Sequence, residues 1–143
     1  MTTLASANES EIISGRLKNI GLKGFSYYFR EQEKNYNRHA NETVNYLAWE
    51  PGKGTIGSIQ YEVATTGTKV TNAWFSQTLQ GTYSQVPMVL ADMQTTMNTD
   101  TSALRFQTVG KTYFQMKVEE EQSKDTEVTH AAEAVGYLII NTP

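Results

Sequence analysis

The sequence predicts an all-β fold, an antiparallel β-sandwich of about nine strands built on an internal hairpin duplication. Three observations predict it: short runs in which apolar and polar residues alternate, turn residues between those runs, and a long-range repeat of a His-x-x-Glu pattern. The composition agrees. Among 143 residues there are 19 Thr, 8 Tyr and 5 Phe, β-branched and aromatic types that suit a pleated, half-buried surface.

The strands are expected in order. An N-terminal run covers 12–20. In 25–29, Phe25, Tyr27 and Phe29 share one face while Ser26 and Tyr28 share the other, the period of a strand. In 44–49, Val44, Tyr46 and Ala48 oppose Asn45, Leu47 and Trp49; in 59–63, Ile59, Tyr61 and Val63 oppose Gln60 and Glu62. Further strands are expected at 69–76, 87–94, 102–109, 112–118 and 134–140. Turn residues separate them at Pro51-Gly52-Lys53-Gly54, Thr66-Gly67, Gln80-Gly81, Asn98-Thr99-Asp100 and Gly110-Lys111. Segment 119–135 is rich in helix formers and could be helical by propensity alone, but the repeat argues for strand, loop and strand.

Length and charge narrow the function. The chain is long enough for one domain, 1–143, and too short for two ordinary ones. A net charge of -3 leaves no surplus of Lys and Arg for a phosphate backbone, which excludes a nucleic-acid footprint. No apolar run is long enough for a helix to cross a membrane. With no cysteine, thiol chemistry and disulfides are excluded. The opening Met1-Thr2-Thr3-Leu4-Ala5 has neither the charged nor the apolar region of a secretion signal, so any such signal is expected to be removed or to lie elsewhere.

The repeat is the sharpest feature. His39-x-x-Glu42-x-Val44-x-Tyr46-Leu47 recurs as His130-x-x-Glu133-x-Val135-x-Tyr137-Leu138, 91 residues on. Upstream, Phe25, Glu31 and Glu33 align with Tyr113, Glu119 and Glu121 at a spacing of 88, which implies a three-residue insertion before the second histidine. The copies span approximately 12–50 and 86–141. Each reads as a hairpin with an acidic strand end, a loop bearing His and a returning Glu-x-Val-x-Tyr strand. Met1 to Leu4 matches Met93 to Met97 in part, and the strand at 87–92 has no counterpart in the first copy, so an open edge and a homo-oligomer or polymer are expected.

Four stretches resemble a repeat common in large bacterial surface and secreted proteins: Val86-Pro87-Met88-Val89-Leu90-Ala91, Asp100-Thr101-x-x-Leu104-Arg105, Glu119-Glu120-Glu121-Gln122-Ser123-Lys124-Asp125, and His130-x-x-Glu133-x-Val135-Gly136-Tyr137-Leu138. Residues 70–140, with Phe75 ahead of the Val-Pro element, also resemble the H-type lectin domain. These resemblances imply a small antiparallel sandwich in an extracellular or cell-surface setting, and the second implies trimers that bind N-acetylgalactosamine-type sugars.

Two readings of the clusters Glu31, Glu33, His39, Glu42 and Glu119, Glu121, His130, Glu133 stand side by side. In the first, carboxylates hold the imidazole and clamp the loop. In the second, one His and several carboxylates bind a divalent metal, Zn or Ca. On an extended segment His-x-x-Glu puts its two side chains on opposite faces, which favours the clamp. Tyr36, Trp49 and Trp74 are the candidate sugar-stacking residues, since flat aromatic rings suit the apolar faces of sugars. Neither a phosphate loop nor a Gly-x-Ser-x-Gly elbow occurs. The expected function is therefore non-catalytic recognition or adhesion, lectin-like carbohydrate binding, without an obligatory cofactor. The alternative is a structural subunit of a filament, coat or virion that assembles through strand edges.

Overall fold

The computed structural model describes residues 1–35 and 38–142, and in it the alternating runs form eleven antiparallel strands. They are β1 (Thr2–Leu4), β2 (Ile13–Gly21), β3 (Gly24–Glu31), β4 (Val44–Tyr46), β5 (Gly52–Ile56), β6 (Ile59–Val70), β7 (Phe75–Thr78), β8 (Met88–Met93), β9 (Ser102–Val109), β10 (Tyr113–Glu120) and β11 (Glu133–Asn141). No α-helix forms among the described residues, and 121–132 is irregular.

The alternation in β10 decides how the second half packs. Phe114, Met116, Val118 and Glu120 are buried while Tyr113, Gln115, Lys117 and Glu119 face outward. This inner row meets Val70, Val135, Tyr137 and Ile139 in one apolar core. The core lies between two sheets, one ordered β5-β6-β11-β8 and the other β7-β10-β9, which is the sandwich arrangement. The first half repeats part of this plan, with β1 paired to β4 and β2 to β3.

The duplication is therefore real in three dimensions, with a shifted register. Leu4 opposite Val44 corresponds to Met93 opposite Val135, and Ile13 opposite Glu31 corresponds to Ser102 opposite Glu120. The spacing is 89 residues (93 minus 4, 120 minus 31), not 88, and it becomes 91 at the histidine. The second copy thus carries two extra residues and not three. Met1 to Leu4 corresponds to 90–93 rather than to Met93 to Met97, so β1 is the counterpart of β8.

Other expectations change as well. The His-bearing connections are not hairpins: β3 pairs with β2 and β4 with β1, while β10 and β11 lie in opposite sheets. Each connection crosses from one sheet to the other. The hairpins that duplicate are β2-β3 and β9-β10. Residues 52–56, read as a turn, form β5. The reversal falls instead at Gly57-Ser58, where Ile56 pairs with Ile59 and Gly57 adopts φ 61°, a left-handed conformation natural to glycine. The expected strand 69–76 is split, because Thr71 to Trp74 carry the chain from the β6 sheet to the β7 sheet.

One ring pair records the difference between the halves. Phe25 and Tyr46 meet edge to face at 5.3 Å and 73°, and their counterparts Phe114 and Tyr137 meet at 5.3 Å and 73°. Phe114 and Tyr137 are 0% and 2% exposed, whereas Phe25 and Tyr46 are 37% and 65% exposed. We expect Phe114→Ala to destabilise the protein by about 3–5 kcal/mol, the cost of truncating a fully buried aromatic. Phe25→Ala should cost less, about 1–2 kcal/mol, since more than a third of that residue stays in water and the site is open to collapse. Urea denaturation of both variants measures the contrast.

Candidate functional site

The two His-x-x-Glu segments form one device twice. A buried carboxylate accepts hydrogen bonds and donates none, so it must gather donors. Glu133 takes the Thr95 hydroxyl on one oxygen and the Met97 amide on the other, the latter at 2.8 Å. Glu42 takes the Ser6 hydroxyl and, at 2.7 Å, the Asn8 amide. Each hydroxyl is also an acceptor, from the Ala134 amide at 2.8 Å in one copy and the Thr43 amide at 2.7 Å in the other. Ser6 and Thr95, Asn8 and Met97, Thr43 and Ala134 occupy equivalent positions. The carboxylate thus ties the approach to β4 to the segment following β1, and the start of β11 to the segment following β8.

The histidines close each device differently. Fully buried His130 lies between two carboxylates, with Nδ1 2.6 Å from Glu120 and Nε2 3.2 Å from Glu133. Burial opposes its charge, but the hydrogen bonds to Glu133 and Glu120 prevail and raise its pKa above the ordinary 6.5. Burial pushes Glu133 up too, yet His130, Thr95, the Met97 amide and Arg16 together hold it below the usual carboxylate range. Glu120 is raised, first by burial and then by Glu127, against the lowering effect of His130. In the first copy, Nδ1 of His39 donates to the Ala40 carbonyl at 2.8 Å and lies 3.6 Å from Glu9 and 3.9 Å from Glu42. The Ala40 carbonyl is the main cause of its raised pKa, which Glu9 and Glu42 reinforce against burial. The Ser6 hydroxyl is the main cause of the lowered pKa of Glu42.

Arg16 joins the halves. From β2 its guanidinium reaches the second copy and meets Glu133 at 3.0 Å, with both side chains fully buried. It also donates to Ser102 Oγ and to the Asn98 carbonyl. Its own counterpart, Arg105, lies on the surface and pairs with Glu119.

The structure brings some of the expected site residues together and separates others. His39 with Glu42, and His130 with Glu133, are joined as expected. Glu31 is buried at the inner end of β3, the position Glu120 holds in β10. Glu119 faces outward onto Arg105 and Lys117. Glu121 accepts the Glu33 amide at 2.9 Å and the Ser123 amide and hydroxyl, so Glu33, Glu119 and Glu121 stand apart from the histidines. Sequence reasoning missed Glu120 and Arg16. Glu120 could have been found by continuing the Phe114, Met116, Val118 alternation by one step, whereas nothing local marks Arg16.

Both nitrogens of His130 face carboxylates. Glu9, Glu11 and His39 bring ligand atoms within 4.8 Å of one another, as do Asp100, Glu120 and Glu127, and these are the groups that could hold a cation. Among the aromatic candidates, Trp49 is partly exposed and leans on Tyr61 at 5.0 Å. Trp74 is partly exposed beneath the Lys117 ammonium, 5.3 Å from its ring. Tyr36 lies outside the described residues. No helix among the described residues is long and apolar enough to cross a membrane.

Comparison with known proteins finds a similarity to Halomucin of Haloquadratum walsbyi, 28% identical over 140 residues. The match takes in 94% of this chain and 2% of Halomucin, so the chain spans a small fraction of that relative's length. No protein-family model matches the chain, and no solved structure matches it.

Two predictions follow from the clamp. Both histidines have raised folded-state values, so the stability they contribute is complete below about pH 6.5 and is lost as pH rises through the folded values. The melting temperature should therefore fall from about pH 6.5 to 8.5, less steeply in His130→Gln and His39→Gln, and be indifferent to EDTA. Second, Arg16→Met removes the permanent cation beside the buried Glu133 carboxylate and should cost about 3–5 kcal/mol in denaturant titration. Arg16→Met combined with Glu133→Gln should recover part of that loss.

Proposed function

We propose that this chain is a non-catalytic building unit of a surface or extracellular protein, in which related sandwich modules follow one another and lock together. The observation that carries this reading is the duplicated carboxylate clamp, with Arg16 of one copy inserted into the clamp of the next. Such a joint transmits position and load between modules and performs no chemistry. His130 is buried between two carboxylates, out of reach of any substrate at the surface. The likeness to Halomucin, whose name marks it as mucin-like, supports a surface or extracellular setting.

Carbohydrate recognition is the second reading, and the partly exposed Trp49 and Trp74 favour it, because their open faces suit sugar rings. A bound Zn or Ca ion would sit at Glu9, Glu11 and His39. Antibodies raised against the chain should label intact source cells without permeabilisation; labelling confined to permeabilised cells would refute the surface setting. A glycan array should show no binding if the unit is purely structural. Binding that Trp49→Ala or Trp74→Ala abolishes would establish the lectin reading in its place.

A further inference from the structure

The first copy is an unfinished sandwich, and the second copy shows what completes it. β11 is flanked by β8 on one edge and β6 on the other, and β10 by β9 and β7. Among the described residues, β4 and β3 have only the first of these neighbours, β1 and β2. Leu47 and Met1 exchange backbone hydrogen bonds at 2.8 Å, so by the alternation of an antiparallel pair the Val44 and Tyr46 amides point to the other, open edge. The counterpart of Val44, Val135, spends its amide on Thr66 Oγ1 at 3.0 Å.

The uncovered side is also apolar. Phe25, Tyr46 and Leu47 are exposed where Phe114, Tyr137 and Leu138 are buried. With Leu22, Trp49 and Tyr137 they line a groove of about 380 Å³. In the second copy the cover is the β5-β7 segment and the turn after it. Glu62 there accepts the Tyr137 phenol at 3.1 Å, together with the Tyr83 phenol and the Gln80 and Gly81 amides, while Leu79 and Tyr83 join the core.

We infer that the open edge of β4 and β3 is a docking surface for a polypeptide segment of the β5-β7 kind, supplied by an adjoining module. Its strand lies antiparallel to β4 in the register of Ala64 against Tyr137, and it brings a carboxylate to the Tyr46 phenol as Glu62 does to Tyr137. A second folded copy of this chain is a poor donor. Its own β5-β7 segment already covers its own β10 and β11, and giving the segment up would expose as much core as it covered. The inference rests on the module reading above and names the partner.

The test is an extended chain in which residues 49–89 are duplicated directly ahead of Met1. That junction reproduces the spacing by which Met1 corresponds to Leu90. Amide hydrogen exchange is followed by NMR in the native and extended chains. In the extended chain the Val44 and Tyr46 amides should exchange at least about tenfold more slowly, as newly paired strand amides do, and Glu62→Ala in the added segment alone should reverse part of that protection. Unchanged exchange at both amides would overturn the inference. So would a native chain that sediments as a dimer with those amides already protected, since the occupant would then be a second copy. Neither result bears on whether antibodies label intact cells, so the two readings fail separately.

Discussion

The protein is organised around a carboxylate that cannot stay buried alone. Glu133 sits where the apolar face of β11 ends, and moving an unpaired charge from water into such a place costs several kcal/mol. Its donors come from three separate parts of the chain: the turn after β8, His130 beside it in sequence, and Arg16 from the other copy. Satisfying that one group fixes the path of the turn, the orientation of the imidazole and the placement of β2. The group's value lies in specifying an arrangement, because apolar residues of equal volume could supply comparable stability.

The charges around it nearly cancel. Arg16 and His130 face Glu120 and Glu133, two basic groups against two acidic ones in a region closed to water. The two carboxylates keep the imidazole basic although burial and the Arg16 charge both act against it. The first copy meets the same demand with fewer means: Glu42 relies on Ser6, the Asn8 amide and His39, and among the described residues no arginine pairs with it. A shared local design therefore serves two surroundings, one sealed and one open.

Much of this was legible in the sequence. Alternation gave β3, β8, β9, β10 and β11 nearly to their ends, and the His-x-x-Glu spacing found both clamps. Strand partners were not legible, because alternation shows which side of a strand is buried and says nothing about its neighbour. Strands consecutive in sequence most often pair as neighbours, so the sequence suggests a hairpin where β10 in fact crosses to β11 in the other sheet. Tyr113 mimics Phe25 in sequence although Phe114 is the counterpart of Phe25 in the fold, and that one residue separates outward Glu119 from inward Glu120, since side chains change face at every step along a strand. Arg16 escaped notice because its partner is 117 positions away, in a contact made only once both copies have folded.

The two extra residues between Glu120 and His130 show where the design is slack. Glu31 to His39 is eight steps and Glu120 to His130 is ten, yet both connections deliver a histidine to a carboxylate at the same place in the fold. Lengthening a surface loop carries a small entropic cost, about 0.6 kcal/mol for each doubling. The segment between Glu121 and Thr129 is therefore a natural graft point, where a foreign peptide could be displayed on the outside of the sandwich while the clamps on either side keep its ends in place.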